Sequence, residues 1–357
     1  MRIPYLCLIC LLFASSVKAQ KPRTQFNGFG HTEYFMEPMK NHSYSYFSIG
    51  EHDFFVTSNI NDRISFLGEF VFRFNDKSAT GYLPSIERSF AKFNYYKNHN
   101  IIAGKIHTPV NYWNDVYHHG RVFYPAIERP VFFSHLVPVH TLGLQFQGQN
   151  LGNQNFGYDV VVGNGIASTD GYSGDVAPSL TAAFHFKPTT GMRIGASYYY
   201  NNIVGNGRGA HSGHSDPRST NYTGPLYKGD VKFHLFSNSF AYFNDKYELL
   251  NEFAYNITKT DSLGKAGNYT NYLYAGLRIG EKNIPYVHFD WMNISDKDLH
   301  TYGYRVGRYA IGYRHEFNHL INLKAELEYQ TADRRQQGGN HNEHNHLIFK
   351  MQLAYSF

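Results

Sequence analysis

Beyond residue 19 the chain has no cysteine, because Cys7 and Cys10 both fall near its start. A cysteine-free body makes no disulfide and carries no thiolate nucleophile, which removes two function classes at once. Long apolar runs are also missing. Mean hydropathy is −0.45, and after the first segment no stretch approaches the ~20 apolar residues of a spanning helix. Strong net charge is missing too. The 33 basic and 28 acidic residues give +5, which becomes +3 once Arg2 and Lys18 are set aside with the leader. That excess is too small to argue for nucleic acid as a partner.

The opening "MRIPYLCLICLLFASSVKAQ" has a basic start at Arg2, an apolar run from Ile3 to Ala14, and small residues before Val17-Lys18-Ala19. This pattern predicts a secretory signal peptide over 1–19, cleaved after Ala19, and an exported chain over 20–357. What the exported chain has in abundance is aromatic side chains, with 30 Tyr and 29 Phe in 357 residues. Export, low hydropathy and high aromatic content fit a secreted β protein or a barrel that crosses a membrane with strands.

The final "IFKMQLAYSF" alternates strictly. Phe349, Met351, Leu353, Tyr355 and Phe357 fall on one parity; Lys350, Gln352, Ala354 and Ser356 fall on the other. A strand sends successive side chains to opposite faces, so this segment has one apolar and one wet face. About sixteen such segments recur, near 25–36, 44–58, 63–74, 87–97, 100–107, 139–149, 155–163 and 178–187. The rest lie near 191–201, 229–243, 246–259, 268–280, 284–293, 304–317, 320–331 and 345–357. No helical periodicity of comparable length interrupts them.

Their connections sort into two kinds. Short turns such as "NIND" (59–62), "KNHN" (97–100) and "GEKN" (280–283) alternate with long polar links at 75–86, 107–138, 164–177, 202–227 and 331–344. An even strand count with turns at one rim and loops at the other predicts an all-β fold, a transmembrane antiparallel β-barrel of the bacterial outer membrane. Closure is demanded by physics, since an unpaired edge in hydrocarbon costs several kcal/mol per polar group. The terminal Phe357 with apolar residues upstream resembles the outer-membrane protein signature that barrel-assembly machinery reads.

Sixteen strands enclose an aqueous lumen too wide for side chains to fill. The longest link, "HTPVNYWNDVYHHGRVFYPAIERPVFFSHLVP", is too aromatic to rest in water, with Tyr112, Trp113, Tyr117, Phe123, Tyr124, Phe132 and Phe133. It is the third long connection and resembles the inward-folding third loop that constricts general sixteen-stranded porins. Around it, Trp113-Asn114, His118-His119-Gly120, Arg129-Pro130, His140 and Gly163-Asn164-Gly165 resemble a group of porin-like outer-membrane proteins over roughly 100 residues. The resemblance implies a porin-like barrel, with trimerisation expected by analogy, and names no solute. Fold analogy does not settle function.

On this reading the constriction comprises Lys105, His107, Trp113, Asp115, His118, His119, Arg121, Glu128, Arg129 and His135. Strand parity turns Arg73, Arg88, Lys92, Lys105, Lys187, Arg193, Lys232, Arg278, Arg308, Arg314, Lys324 and Lys350 inward. The same parity turns Glu69, Glu248, Glu252, Asp290, Glu326 and Glu328 inward, half as many. A basic lining raises the local anion concentration, so passive diffusion of small hydrophilic solutes with a mild anion preference is expected. The same residues, if paired across the lumen, would only keep it hydrated.

Three other readings stay open. The histidines of "GGNHNEHNHL" (His341, His344, His346, with Glu343) and His211 and His214 are ligand types for zinc or copper. Their spacing fixes no tetrahedral geometry, and no cofactor is expected. Histidines 107, 118, 119, 135 and 140 could titrate near neutral pH, or simply bond the loop to the wall. A barrel hydrolase could use His42-Ser43 or His211, Ser212, His214 and Ser215, but neither set brings an orienting acid. A sugar-selective or surface-binding barrel could stack rings on Tyr199, Tyr272, Tyr274, Tyr286 and Trp113. The partners expected are outer-membrane lipid and lipopolysaccharide, small hydrophilic or anionic solutes, and the assembly machinery.

Overall fold

The computed structural model describes residues 23–38, 43–75, 80–117, 120–166, 177–203, 230–298, 303–335 and 341–357. The leader, His42, His118, His119 and the 211–215 cluster lie outside the described residues. Strands follow in the order β1 (Arg23–Pro38), β2 (Ser43–Ser48), β3 (Glu51–Asn59), β4 (Ile64–Phe74), β5 (Tyr82–Tyr96) and β6 (His99–His107). After a long loop come β7 (His140–Leu151), β8 (Phe156–Gly163), β9 (Ser179–Phe186), β10 (Met192–Ile203), β11 (Val231–Phe243) and β12 (Tyr247–Thr260). The wall is completed by β13 (Gly264–Leu277), β14 (Asn283–Ile294), β15 (Tyr304–Asn318), β16 (Ile321–Arg335) and β17 (His341–Ser356).

Strands β2 and β3 both pair antiparallel with β1, one after the other. Gly50, at φ +68°, separates them. They form one stave, so the sheet is a closed barrel of sixteen staves, all antiparallel to their neighbours. The seam joins β1 to β17, from Phe29 opposite Ser356 to Met36 opposite Phe349. Gly28 and Phe357 extend it by exchanging two backbone hydrogen bonds of 2.9 Å. A β-carbon on Gly28 would stand 2.6 Å from the Phe357 ring, which therefore lies directly over that glycine. The ring also meets Phe54 edge-on at 6.0 Å. An aromatic laid over a glycine pins strand register, and here it pins the closing seam.

Alternation sorts the faces. Along β12, Glu248, Leu250, Glu252, Ala254, Asn256 and Thr258 are buried inward, while Tyr247, Leu249, Phe253 and Tyr255 face out. Phe289, Trp291, Tyr309 and Ile311 continue the apolar outer band on β14 and β15. Such a band meets hydrocarbon, and the closed ladder leaves no edge to desolvate.

Several expectations change, for β5, β16 and β17 extend into the links expected at 75–86 and 331–344. Lys232, assigned to the lumen, lies on the outer face of β11 with Phe236, because the buried parity there belongs to Val231, Phe233 and Leu235. A polar residue on the outer parity and large apolar ones on the inner parity invert the pattern that orients the other strands. The apolar inner residues pack under the loop described next. Strand β13 begins at Gly264, four residues before the alternating segment starts. Its "GKAG" lacks apolar alternation, yet full pairing with β12, Lys259 opposite Lys265, carries the ladder to a three-residue turn.

Candidate functional site

The segment between β6 and β7 folds into the barrel. It cannot add a strand, because Pro109, Pro125, Pro130 and Pro138 each remove a ladder donor. It makes single helical turns instead, at Trp113–Tyr117, Arg121–Phe123 and Val131–Ser134. Its apolar residues form a core of their own with the wall. Trp113, Tyr124, Phe132, Phe133, Leu136 and Val137 are buried and pack with Tyr272, Tyr274 and Tyr286 from β13 and β14. Trp113 meets Tyr124 and Tyr272 edge to face, at 4.9 and 5.7 Å. The inward tyrosines and Trp113 are thus packing residues with covered faces, and none offers a platform for a sugar ring.

A loop without a ladder leaves its amides and carbonyls to find side chains. Wall carboxylates accept its N–H groups. Glu252 receives those of Tyr112 and Trp113 (3.2 Å for Trp113), Glu326 that of Ile127 at 3.0 Å, and Asp290 that of Val131 at 2.5 Å. Wall cations and amides donate to its carbonyls. Arg314 reaches Pro125 O at 3.0 Å, Lys324 reaches Arg121 O and Asn322 reaches Val122 O, both at 2.5 Å. These partners sit on staves β12 to β16, so one half of the wall carries the loop.

The loop's own charges are braces. Glu128 pairs with Arg308 at 3.0 Å and Lys350 at 3.1 Å. Arg129 lies 3.5 Å from Glu51, donates to the Tyr124 hydroxyl at 2.8 Å, and covers the Phe133 ring. Burial raises the pKa of Tyr124, so the hydroxyl keeps its proton. Arg121 donates to Ile127 O at 2.9 Å and stands over the Tyr124 ring. Asp115 pairs with Arg193. His135 bonds Val131 O and stacks on Tyr304. Lys105 is buried and donates to Ile86 O at 2.5 Å. His107 lies 3.9 Å from Glu69, and His140 lies 3.0 Å from Glu87.

Of the basic residues assigned to the lumen, Arg73 pairs with Glu51 and Glu87, Arg88 with Glu69, and Arg278 and Arg314 with Glu248 and Glu316. Lys92 faces inward opposite Ser65. The inward charge is therefore far closer to balance than parity counting implied. Glu51, Glu87, Asp159 and Glu316 were not in that count, and they join these networks or line the passage.

Open space lies on the other half of the wall. A cavity of about 680 Å³ is lined by Tyr112, Val116, Lys187, Arg193 and the 188–192 turn. Tyr112 and Arg193 also line a separate crevice of about 20 Å³, between Asp115 of the loop and Asp159, His185, Ser197, Ser237 and Ser239 of the wall. That is room for about one water molecule. Small residues line this side, where Ala183, Gly195 and Ala196 stand back from the loop. Asp159 and His185 are legible on parity, flanked by outward Val160 and Phe184, though their strands also carry the apolar inward Val161 and Ala183.

A closed sixteen-stave antiparallel barrel, apolar outside and holding its third loop within, has the porin-like β-barrel fold. Solved structures share this fold. The anion-selective porin of Comamonas acidovorans aligns with a TM-score of 0.66 at 10% identity, over 94% of this chain and 100% of that one. OmpT of Vibrio cholerae, an outer membrane protein solved in a trimer form, aligns at 0.63 and 13% identity, over 95% and 100%. The outer membrane channel DcaP of Acinetobacter baumannii aligns at 0.60 and 13%, over 95% and 99%. No protein-family model matches the chain, and no curated protein sequence matches it.

Proposed function

We propose that this barrel passes small hydrophilic solutes by passive diffusion and mildly favours anions. The observation that carries the reading is the position of Lys187 and Arg193 on the 680 Å³ cavity where the loop leaves the wall open. Arg193 also lines the adjoining crevice, so one guanidinium borders both spaces beside the loop. A basic group at a narrow, low-dielectric passage raises anion concentration there. The printed names of two fold neighbours, an anion-selective porin and an outer membrane channel, agree with a channel rather than a hydrolase. In a planar bilayer under a salt gradient, Arg193→Gln should move the reversal potential toward the cation side, with Asp115 left unpaired. An unchanged reversal potential would remove Arg193 from the selectivity argument.

The outer face adds a lipid contact. Lys232, Lys259 and Lys265 are cross-strand partners in one outward row across β11, β12 and β13, at the end of β12 away from the periplasmic turns. Like charges directly opposite each other repel unless an anion lies between them. The phosphates of lipopolysaccharide supply that anion, worth about 1 kcal/mol per lysine at a charged membrane surface. Replacing all three by Gln should reduce the lipopolysaccharide retained through detergent purification, measured as bound phosphate. Equal retention by the folded variant would refute the contact.

A further inference from the structure

We infer that the lumen wall holds a divalent transition-metal site formed by His288, Glu326 and Glu328. The register builds it. His288 on β14 and Glu328 on β16 lie on one rung, separated by Ala310 of β15; one rung along, Gly312 stands between Tyr286 and Glu326. The middle stave thus contributes no bulk, and side chains from its two neighbours reach across it. One ligand atom from each of the three residues lies within 4.8 Å of the others. Among the described residues no second such trio exists.

Burial is complete and the trio is incompletely bonded. His288, Glu326 and Glu328 are 3%, 1% and 0% exposed. One oxygen of each carboxylate is engaged by protein donors. Glu326 Oε2 accepts from the Tyr286 hydroxyl at 2.8 Å and from Ile127 N at 3.0 Å, while Glu328 Oε2 accepts from Lys350 at 2.9 Å. The second oxygen of each, and both ring nitrogens of His288, have no hydrogen-bond partner among the described residues. His288 Nε2 and Glu326 Oε1 are 3.5 Å apart, beyond good hydrogen-bond range. Buried polar atoms left so are costly unless something binds them.

Charge points the same way. The carboxylates in and touching the cluster are Glu326, Glu328, Asp290 and the loop's Glu128. The bases that meet them are Lys350 and Arg308. Lys324, the next inward base on β16, is taken by Arg121 O and Gln352. Four carboxylates thus meet two permanent cations and the His288 imidazole, surroundings that favour a divalent ion. An imidazole with two carboxylate oxygens suits zinc or a similar borderline ion better than calcium or magnesium, which take oxygen alone. Metal–ligand bonds near 2.0–2.2 Å would draw the three donors to roughly 3.3 Å apart. Such an ion would also stiffen the oxygen pair that holds Ile127, and so the loop above it. This inference is independent of which solute crosses the channel.

Cobalt(II) is the probe. Refolded full-length protein, stripped with chelator, should bind one equivalent of Co²⁺ with visible d–d bands that Zn²⁺ displaces. His288→Gln and Glu328→Gln, of nearly conserved shape, should each abolish those bands, while His344→Ala with His346→Ala should keep them. Folding of every variant is read from heat-dependent gel mobility. If neither trio variant folds, the wild-type spectrum decides by itself. Absence of d–d bands in the folded wild type, bands that survive His288→Gln, or bands lost only in the His344/His346 variant would each overturn the site.

Discussion

Deletion of residues 112–134 should raise single-channel conductance at least about threefold, since a sixteen-stave barrel without its filling loop encloses a water-filled lumen. The magnitude follows from how completely the loop occupies the interior. Trp113, Tyr124, Ala126, Ile127, Phe132, Phe133 and Leu136 are all under 3% exposed, and the crevice left beside them measures about 20 Å³. The wall should tolerate the change. Its backbone ladder does not pass through the loop, and the carboxylates released from the loop amides become hydrated rather than stranded. Conductance in planar bilayers, on protein shown to be folded by heat-dependent mobility, is the check. A folded deletion variant with unchanged conductance would mean that the loop does not set the passage.

Trp113→Ala should lower unfolding stability in lipid vesicles by about 3–5 kcal/mol, the range for truncating a buried aromatic. Trp113 is fully buried, meets three aromatic rings, and its backbone N–H rests on Glu252. Edge-to-face ring pairs add about 0.5–1.5 kcal/mol each beyond area. The same loop contains an internal control. Phe123 is 52% exposed and among the described residues meets only the Phe29 ring, so Phe123→Ala should cost under about 1.5 kcal/mol. Urea titration of both variants separates the outcomes. A loss below about 1 kcal/mol for Trp113→Ala would show that the loop core does not contribute to the stability of the barrel.

Strand parity was legible because one face of each stave meets lipid and the other does not, which a period-2 pattern records directly. The exception is instructive. Around Lys232 the inner residues are Phe233 and Leu235, apolar because they pack beneath a loop rather than face water. Inward apolar residues break the rule that made the other strands readable. The interruption at Gly50 also hid in the sequence, since β2 and β3 together read as one segment and serve as one stave.

Site residues were less legible than staves. Composition placed an aromatic loop in the lumen, and that is where it lies. It could not place Arg121 on Ile127 O, Arg129 on Tyr124, or Glu128 between Arg308 and Lys350, since each contact depends on how the loop turns against one half of the wall. Counting inward charges by parity ignored this pairing and overstated the basic excess. His288, Glu326 and Glu328 are separated by about forty residues and carry no motif; only the register across β15 brings them together.

The sequence by itself determined the number of staves, the face that most of them present to lipid, and which connection is too apolar to stay in water. These follow from local alternation and from the cost of leaving aromatic surface or unpaired backbone in the wrong solvent. Tertiary structure alone decided which charges are spent on holding the loop and which still face the passage. That outcome depends on contacts such as Glu128 with Arg308 and Lys324 with Arg121 O, between residues far apart in the chain, and a side chain's parity says only which face it leaves from.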